Sequence, residues 1–196
     1  MIVIGLSGKA RSGKGSVVQL AQILMQHGDT EAEVRQVSFA TALKDMARER
    51  GWNGEKDAKG RTLLQDLGMQ MRKVDSDFWV KAAERKVIHI GLTSPETKIV
   101  FIPDCRFTNE AEAIKSLPKS DKFFDSVVGI ERAEIWRVNR FNADGTVYDN
   151  GLTWTQKMHA SETELDDWPF DLTIHSSNMA DLFEGVKKAL ARLGFS

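Results

Sequence analysis

Two hydrophobic periods alternate along this chain. Short apolar or β-rich runs recur at residues 2–6, 34–39, 98–103, 133–139 and 171–175. They predict five strands, and the near-continuous hydrophobicity of the first and third suits parallel strands covered on both faces. Between the runs, apolar residues return every three or four positions. Val17, Leu20, Ala21 and Leu24 predict a helix over 14 to about 26. Leu43, Met46 and Ala47 predict one over 40 to about 50, and Leu64, Leu67 and Met71 one over 62 to about 73. Trp79, Ala82, Ala83 and Val87 share a face of a helix opened by Asp75 or Ser76. Ala111, Ile114 and Leu117 follow a cap at Thr108 or Asn109. A short helix is expected over 159–165. Met179, Leu182, Phe183, Val186, Leu190 and Leu193 mark a closing amphipathic helix.

Breakers separate these elements. Residues 27–29 and 51–54 end helices, and 55–61 read as a charged loop. Residues 118–129 read as a polar connection or part of a sheet edge. Asn142-Ala143-Asp144-Gly145 and Asp149-Asn150-Gly151 are turn signals within an excursion over 141–157.

Strands alternating with helices predict an α/β domain with a mostly parallel sheet. Ligands of such sheets bind outside the carboxyl ends of the strands. That rule gathers the loop after Leu6, the Phe39-Ala40 junction, the Asp104-Cys105-Arg106 junction and the residues after Asn139 into one cleft.

A length of 196 residues suits one domain with a full core. The formal net charge is −1, which argues against non-specific nucleic-acid binding. The single cysteine, Cys105, excludes an internal disulfide and suits a reducing cytoplasm. The chain opens on a strand-like run rather than a basic leader, and no stretch has the length of a membrane span. His27, His89, His159 and His175 are scattered, without zinc-site spacing.

The first loop carries the most specific chemistry. Gly8 and the Gly13-Lys14 pair satisfy G-x-x-x-x-G-K, with a strand before and a helix after. Backbone N–H groups and the positive end of the helix then point at one spot, where Lys14 reaches the outer phosphates of a nucleoside triphosphate. Gly15 stands where the motif has Ser or Thr, and Ser16 follows one place later as the candidate hydroxyl for magnesium. The Gly-Lys-Gly-Ser order is similar to the Gly-Lys-Gly-Thr of adenylate-kinase-type nucleotide kinases. Asp104, after the third strand, is the candidate acid for the same ion. Arg106, Arg137 and Arg140 are candidates to stabilise charge on a transferring phosphoryl group. The acceptor candidates are Phe39 and Ala40, which open the helix after the second strand, Lys44 one turn in, Arg72 and Trp79. Phe39, Arg72 and Trp79 are the aromatic and cationic types a monophosphate acceptor needs, with Arg72 and Lys73 alternatives for the phosphate contact and core packing an alternative for Trp79. A nucleotide phosphate is already ionised at neutral pH and needs no general base, so His159 is expected to anchor structure.

Four stretches together resemble the deoxynucleoside monophosphate kinases of tailed bacteriophages. They are residues 8–16; Leu64-Gln65-Asp66-Leu67-Gly68 with Asp77-Phe78-Trp79-Val80; Asp104-Cys105-Arg106-Phe107-Thr108-Asn109-Glu110-Ala111; and His159-Ala160-Ser161-Glu162 running into residues 166–171. The resemblance implies a three-layer P-loop kinase fold with about five strands, an acceptor-binding insertion over about 40–90 and a mobile lid over about 137–160. It implies transfer of the γ-phosphoryl group of ATP, with Mg2+, to a deoxynucleoside monophosphate in the cytoplasm (the host cytoplasm if the chain is phage-encoded), and it allows a homodimer. Carried over, Gly8, Lys9, Ala10, Arg11, Ser12, Gly13, Lys14, Gly15 and Ser16 bind the ATP phosphates. Asp104 and Arg106 face the reacting phosphates, and Arg137 and Arg140 are lid-side arginines. Two other classes remain open: a kinase for another small acceptor, and a nucleotide-binding switch or ATPase.

Overall fold

The computed structural model describes residues 1–27, 32–55, 57–119 and 129–195. Its strands are β1 (Ile2–Ser7), β2 (Glu33–Gln36), β3 (Thr97–Ile102), β4 (Arg132–Arg140) and β5 (Leu172–Ser176). The helices are α1 (Lys14–His27), α2 (Phe39–Glu49), α3 (Ala58–Val74), α4 (Phe78–Thr93), α5 (Thr108–Ser116), the single turns α6 (Trp154–Lys157) and α7 (Ala160–Thr163), and α8 (Met179–Arg192).

The strands form one sheet in the order β2-β3-β1-β4-β5, and every pairing is parallel. β1 lies at the centre and all six of its residues are buried. Alternate side chains serve opposite faces, as the period of a strand requires. Ile2, Ile4 and Leu6 pack with Ile99, Phe101, Trp136 and Val138 beneath α1 and α8. Val3 packs with Val100, Ile102 and Ile135 beneath α4 and α5, where Phe39 of α2 joins them. Helices therefore cover both faces of a parallel sheet, as expected from its hydrophobic pattern. A separate small core around Ala47, Trp52 and Leu67 joins α2 to α3.

Several boundaries differ from expectation, each for a local reason. The second strand stops at Gln36, and Phe39 begins α2, because the Asp104 carboxylate accepts the N–H groups of Phe39 and Ala40. α3 starts at Ala58 within the expected loop, because Asp57 caps it through the N–H of Gly60. α5 has Phe107 at its cap position rather than Thr108 or Asn109, and Glu110 reaches back to the N–H groups of Arg106 and Phe107. Met179 opens α8 exposed to solvent, whereas Leu182, Val186 and Leu190 are buried. The connection expected over 118–129 lies mostly outside the described residues. No helix among the described residues is long and apolar enough to cross a membrane.

Candidate functional site

The chain leaves β1 toward β2 on one side of the sheet and leaves β4 toward β5 on the other. A crevice opens where such connections diverge, outside the carboxyl ends of the strands. The Gly-rich loop lies there. Gly8, Arg11 and Gly13 have φ of 146°, 61° and 103°. At Gly8 this conformation favours glycine, and a Cβ would also lie 2.4 Å from the carbonyl oxygen of Val138. The loop thus fits against β4 only because residue 8 has no side chain.

Lys14 folds back over the loop, donating to the carbonyls of Gly8 at 2.6 Å and Lys9 at 2.9 Å. Burial and then the nearby charge of Arg106 pull its amine down to about 8. Lys14 itself makes no ion pair among the described residues, so its charge is left to an incoming anion, whereas Arg106 pairs with Glu162, and Arg137 and Lys9 pair with Asp166. The hydroxyl oxygen of Ser12 is buried and has no hydrogen-bond partner among the described residues. Ser16 is the third residue of α1, in its first turn, and partly exposed.

At the end of β3, Asp104 accepts from Ser38 Oγ at 2.5 Å, Phe39 N at 3.1 Å and Ala40 N at 2.9 Å. Both carboxylate oxygens thus hold the start of α2. Two residues on, Arg106 donates through one terminal nitrogen to Glu162 Oε1 at 2.6 Å. Buried Glu110 lies beneath, its carboxyl raised to about 7 mainly by desolvation. No group of three His, Cys, Asp or Glu among the described residues is arranged to hold a metal ion.

At the end of β4, Arg137 is nearly buried and uses all three guanidinium nitrogens, on Asn139, Ser7 and Asp166. Arg140 points outward and stacks 4.0 Å over the Tyr148 ring. A cavity of about 680 Å³ opens beside them, lined by Lys9, Ala10 and Ser12 of the loop, Arg137 and Arg140 of β4, and Phe141, Val147, Tyr148 and Met158 of the excursion. Its floor is closed by the segment after α6. There Asp166 accepts from Lys9 and Arg137, and Glu162 accepts from the N–H of Ala10 at 2.8 Å. His159 caps α7 by accepting from Ser161 N.

The candidate acceptor residues do not converge as closely. Phe39 is buried in the core. Trp79 is 3% exposed and donates to the Gly68 carbonyl between α3 and α4. Packing accounts for both rings. Ala40 gives its N–H to Asp104, and Lys44 is half-buried on α2. Arg72 lies 4.7 Å over the ring of Phe107, with its guanidinium 3.6 Å from Glu110. Arg72 is therefore tied to the Asp104-Arg106 junction.

Sequence reasoning missed Phe107, Tyr148, Glu162 and Asp166 as contributors. Asp166 lies 157 residues beyond the Lys9 it meets, a pairing that no local pattern signals. Phe107 and Glu162 lay inside stretches already singled out, without a stated task. No protein-family model matches this chain, and no curated protein matches it significantly.

Proposed function

We propose that this chain is a P-loop kinase that transfers the γ-phosphoryl group of ATP to a deoxynucleoside 5′-monophosphate. The observation that carries the nucleotide part is the loop itself: Lys14 folded over a glycine-bounded turn at the crevice between β1 and β4. The acceptor class rests on the resemblance of residues 104–111 and 159–162 to phage deoxynucleotide kinases.

The residues present suit a bound triphosphate. The Ser12 hydroxyl, without a partner among the described residues, and the side-chain-free cradle at Gly8 leave a polar concavity, and Lys14 gains its full charge when an anion offsets its burial. The adjoining cavity, with Tyr148 and Phe141 on its wall, has room for a nucleoside. Magnesium, when bound, neutralises charge on the phosphates. Ser16 and, through water, Asp104 would hold it, consistent with an ion carried mainly by phosphate oxygens rather than by a protein cage. An oxygen of the acceptor phosphate attacks the γ-phosphorus, the bond to the β-phosphate oxygen breaks, and ADP leaves. The protein contributes alignment and positive charge, the two terms that dominate phosphoryl transfer.

The test is ADP release from ATP over the deoxynucleoside and ribonucleoside monophosphates. Release driven by one or more deoxynucleoside monophosphates is expected. Release driven only by another acceptor class makes it a different kinase, and acceptor-independent hydrolysis makes it an ATPase or switch.

A further inference from the structure

Glu162 has no task in the reading above, yet its placement is specific. Its side chain is 6% exposed, although it sits on a single helical turn at the surface. Its two oxygens face two different strand ends. Oε2 accepts the N–H of Ala10, in the loop after β1, at 2.8 Å. Oε1 accepts from Arg106, after β3, at 2.6 Å. One carboxylate therefore bridges the loop and the arginine.

The bridge holds only one edge of Arg106. The terminal nitrogen that meets Glu162 also donates to the Ser161 carbonyl at 3.3 Å. The other terminal nitrogen and Nε make no hydrogen bond among the described residues, and the side chain is 33% exposed. Arg137 is the contrast, with all its nitrogens engaged. Arg106 is thus anchored through one side of its fork and open on the other, beside Lys14, whose pKa its charge lowers. A planar guanidinium fixed in this way presents a preset pair of donors to an oxyanion.

We propose that Glu162 is a positioning residue: by bridging Ala10 and Arg106 it sets the open edge of Arg106 toward the transferring phosphoryl group. The proposal rests on the kinase reading. It requires Glu162 to act through Arg106, which a double-mutant cycle isolates.

The experiment uses the full chain as wild type, Glu162→Ala, Glu162→Gln, Arg106→Ala and the Glu162→Ala/Arg106→Ala double variant. It measures kcat and KM for ATP with the best deoxynucleoside monophosphate, and ATP affinity without acceptor by calorimetry. Misplacing a charge-stabilising group costs about 100-fold in rate, so each alanine variant should lose about that much kcat. The double variant should fall no more than about 3-fold below Arg106→Ala, as expected of groups that act as a unit. Glu162→Gln keeps the shape and the Ala10 contact, and should lose about 10-fold in kcat with an unchanged melting temperature; if Glu162→Ala fails to fold, this variant in the Arg106→Ala background completes the cycle. Losses that multiply in the double variant overturn the proposal. So does tighter ATP binding by Glu162→Gln at unchanged kcat, which would make the carboxylate a mere occupant of an anion site. If the wild type transfers phosphate to no monophosphate, the kinase reading fails by itself. The cycle is then read in ATP affinity: non-additive losses sustain the Glu162–Arg106 coupling and additive ones overturn it.

Discussion

The crevice between β1 and β4 and the helical insertion formed by α2, α3 and α4 carry similar residue types, basic and aromatic, but hold them differently. In the crevice the functional side chains leave strand ends or the loops that follow them. Ser7 lies opposite Arg137 in the β1–β4 register. Strand register leaves little freedom there, and the hydrogen bonds that Arg137 and Arg106 donate to Asp166 and Glu162 remove more. In the insertion each side chain depends on the rotation of its helix about its own axis. That rotation turned Phe39 and Trp79 into the core and left Arg72 at the surface over Phe107. Residues on a sheet rim can thus be placed from the order of strands, whereas residues on packed helices need the packing itself.

The largest expected effect lies in the crevice. Lys14→Ala should lower kcat for ADP formation by about 1,000-fold or more, as removal of a main charge stabiliser does, with the far-UV circular dichroism unchanged. Near wild-type turnover would show that the loop is not the donor site, and the comparison would lose its functional half.

The next effect is pH dependence in the same place. The lysine amine is lowered to about 8. Phosphate binding favours its charged form, so the bound-state value lies higher. Below about pH 8 the free site is already charged and affinity is flat. Above it each binding event takes up a proton, so ATP affinity should fall by up to about tenfold per pH unit. Calorimetry in buffers of different ionisation enthalpy detects that proton directly, and a flat affinity from pH 7 to 9.5 would contradict the burial of Lys14.

Smaller effects are expected in the insertion. On the proposed function, with Arg72 as the cation for the acceptor phosphate, Arg72→Ala should raise the acceptor KM by about tenfold, while Lys73→Ala changes it less than about twofold. The reverse pattern would move the acceptor to the other side of α3. Trp79→Phe should cost about 1–2 kcal/mol in urea unfolding, as a core substitution that loses volume and a hydrogen bond, and should leave the acceptor KM within about twofold. A tenfold rise in KM would show that the buried ring reaches the acceptor after all.

Legibility followed the same division. The five strands, their covered faces and the strand-loop-helix unit around Lys14 could be read from short-range pattern, because a buried parallel strand must be apolar throughout and clustered glycines mark a turn; that Gly8 is required by the closeness of Val138 in β4 could not. The start of α2 could not, since Phe39 extends the β-rich pattern of residues 34–39 and only Asp104, 65 residues away, supplies the hydrogen bond at its N–H. Asp104 itself was legible as a carboxylate at a strand end, but its two oxygens facing α2 were not.

By itself, then, the sequence determined the α/β alternation, the strand-loop-helix unit around Lys14 and the gathering of residues at one end of a parallel sheet. These depend on hydrophobic period and on the backbone freedom of glycine, both local properties. The tertiary structure alone decided which charges meet: Lys9 and Arg137 with Asp166, Arg106 with Glu162, and Arg72 with Glu110. Those pairings join residues 29 to 157 positions apart, and their geometry comes from packed helices and crossing loops, which no local pattern encodes.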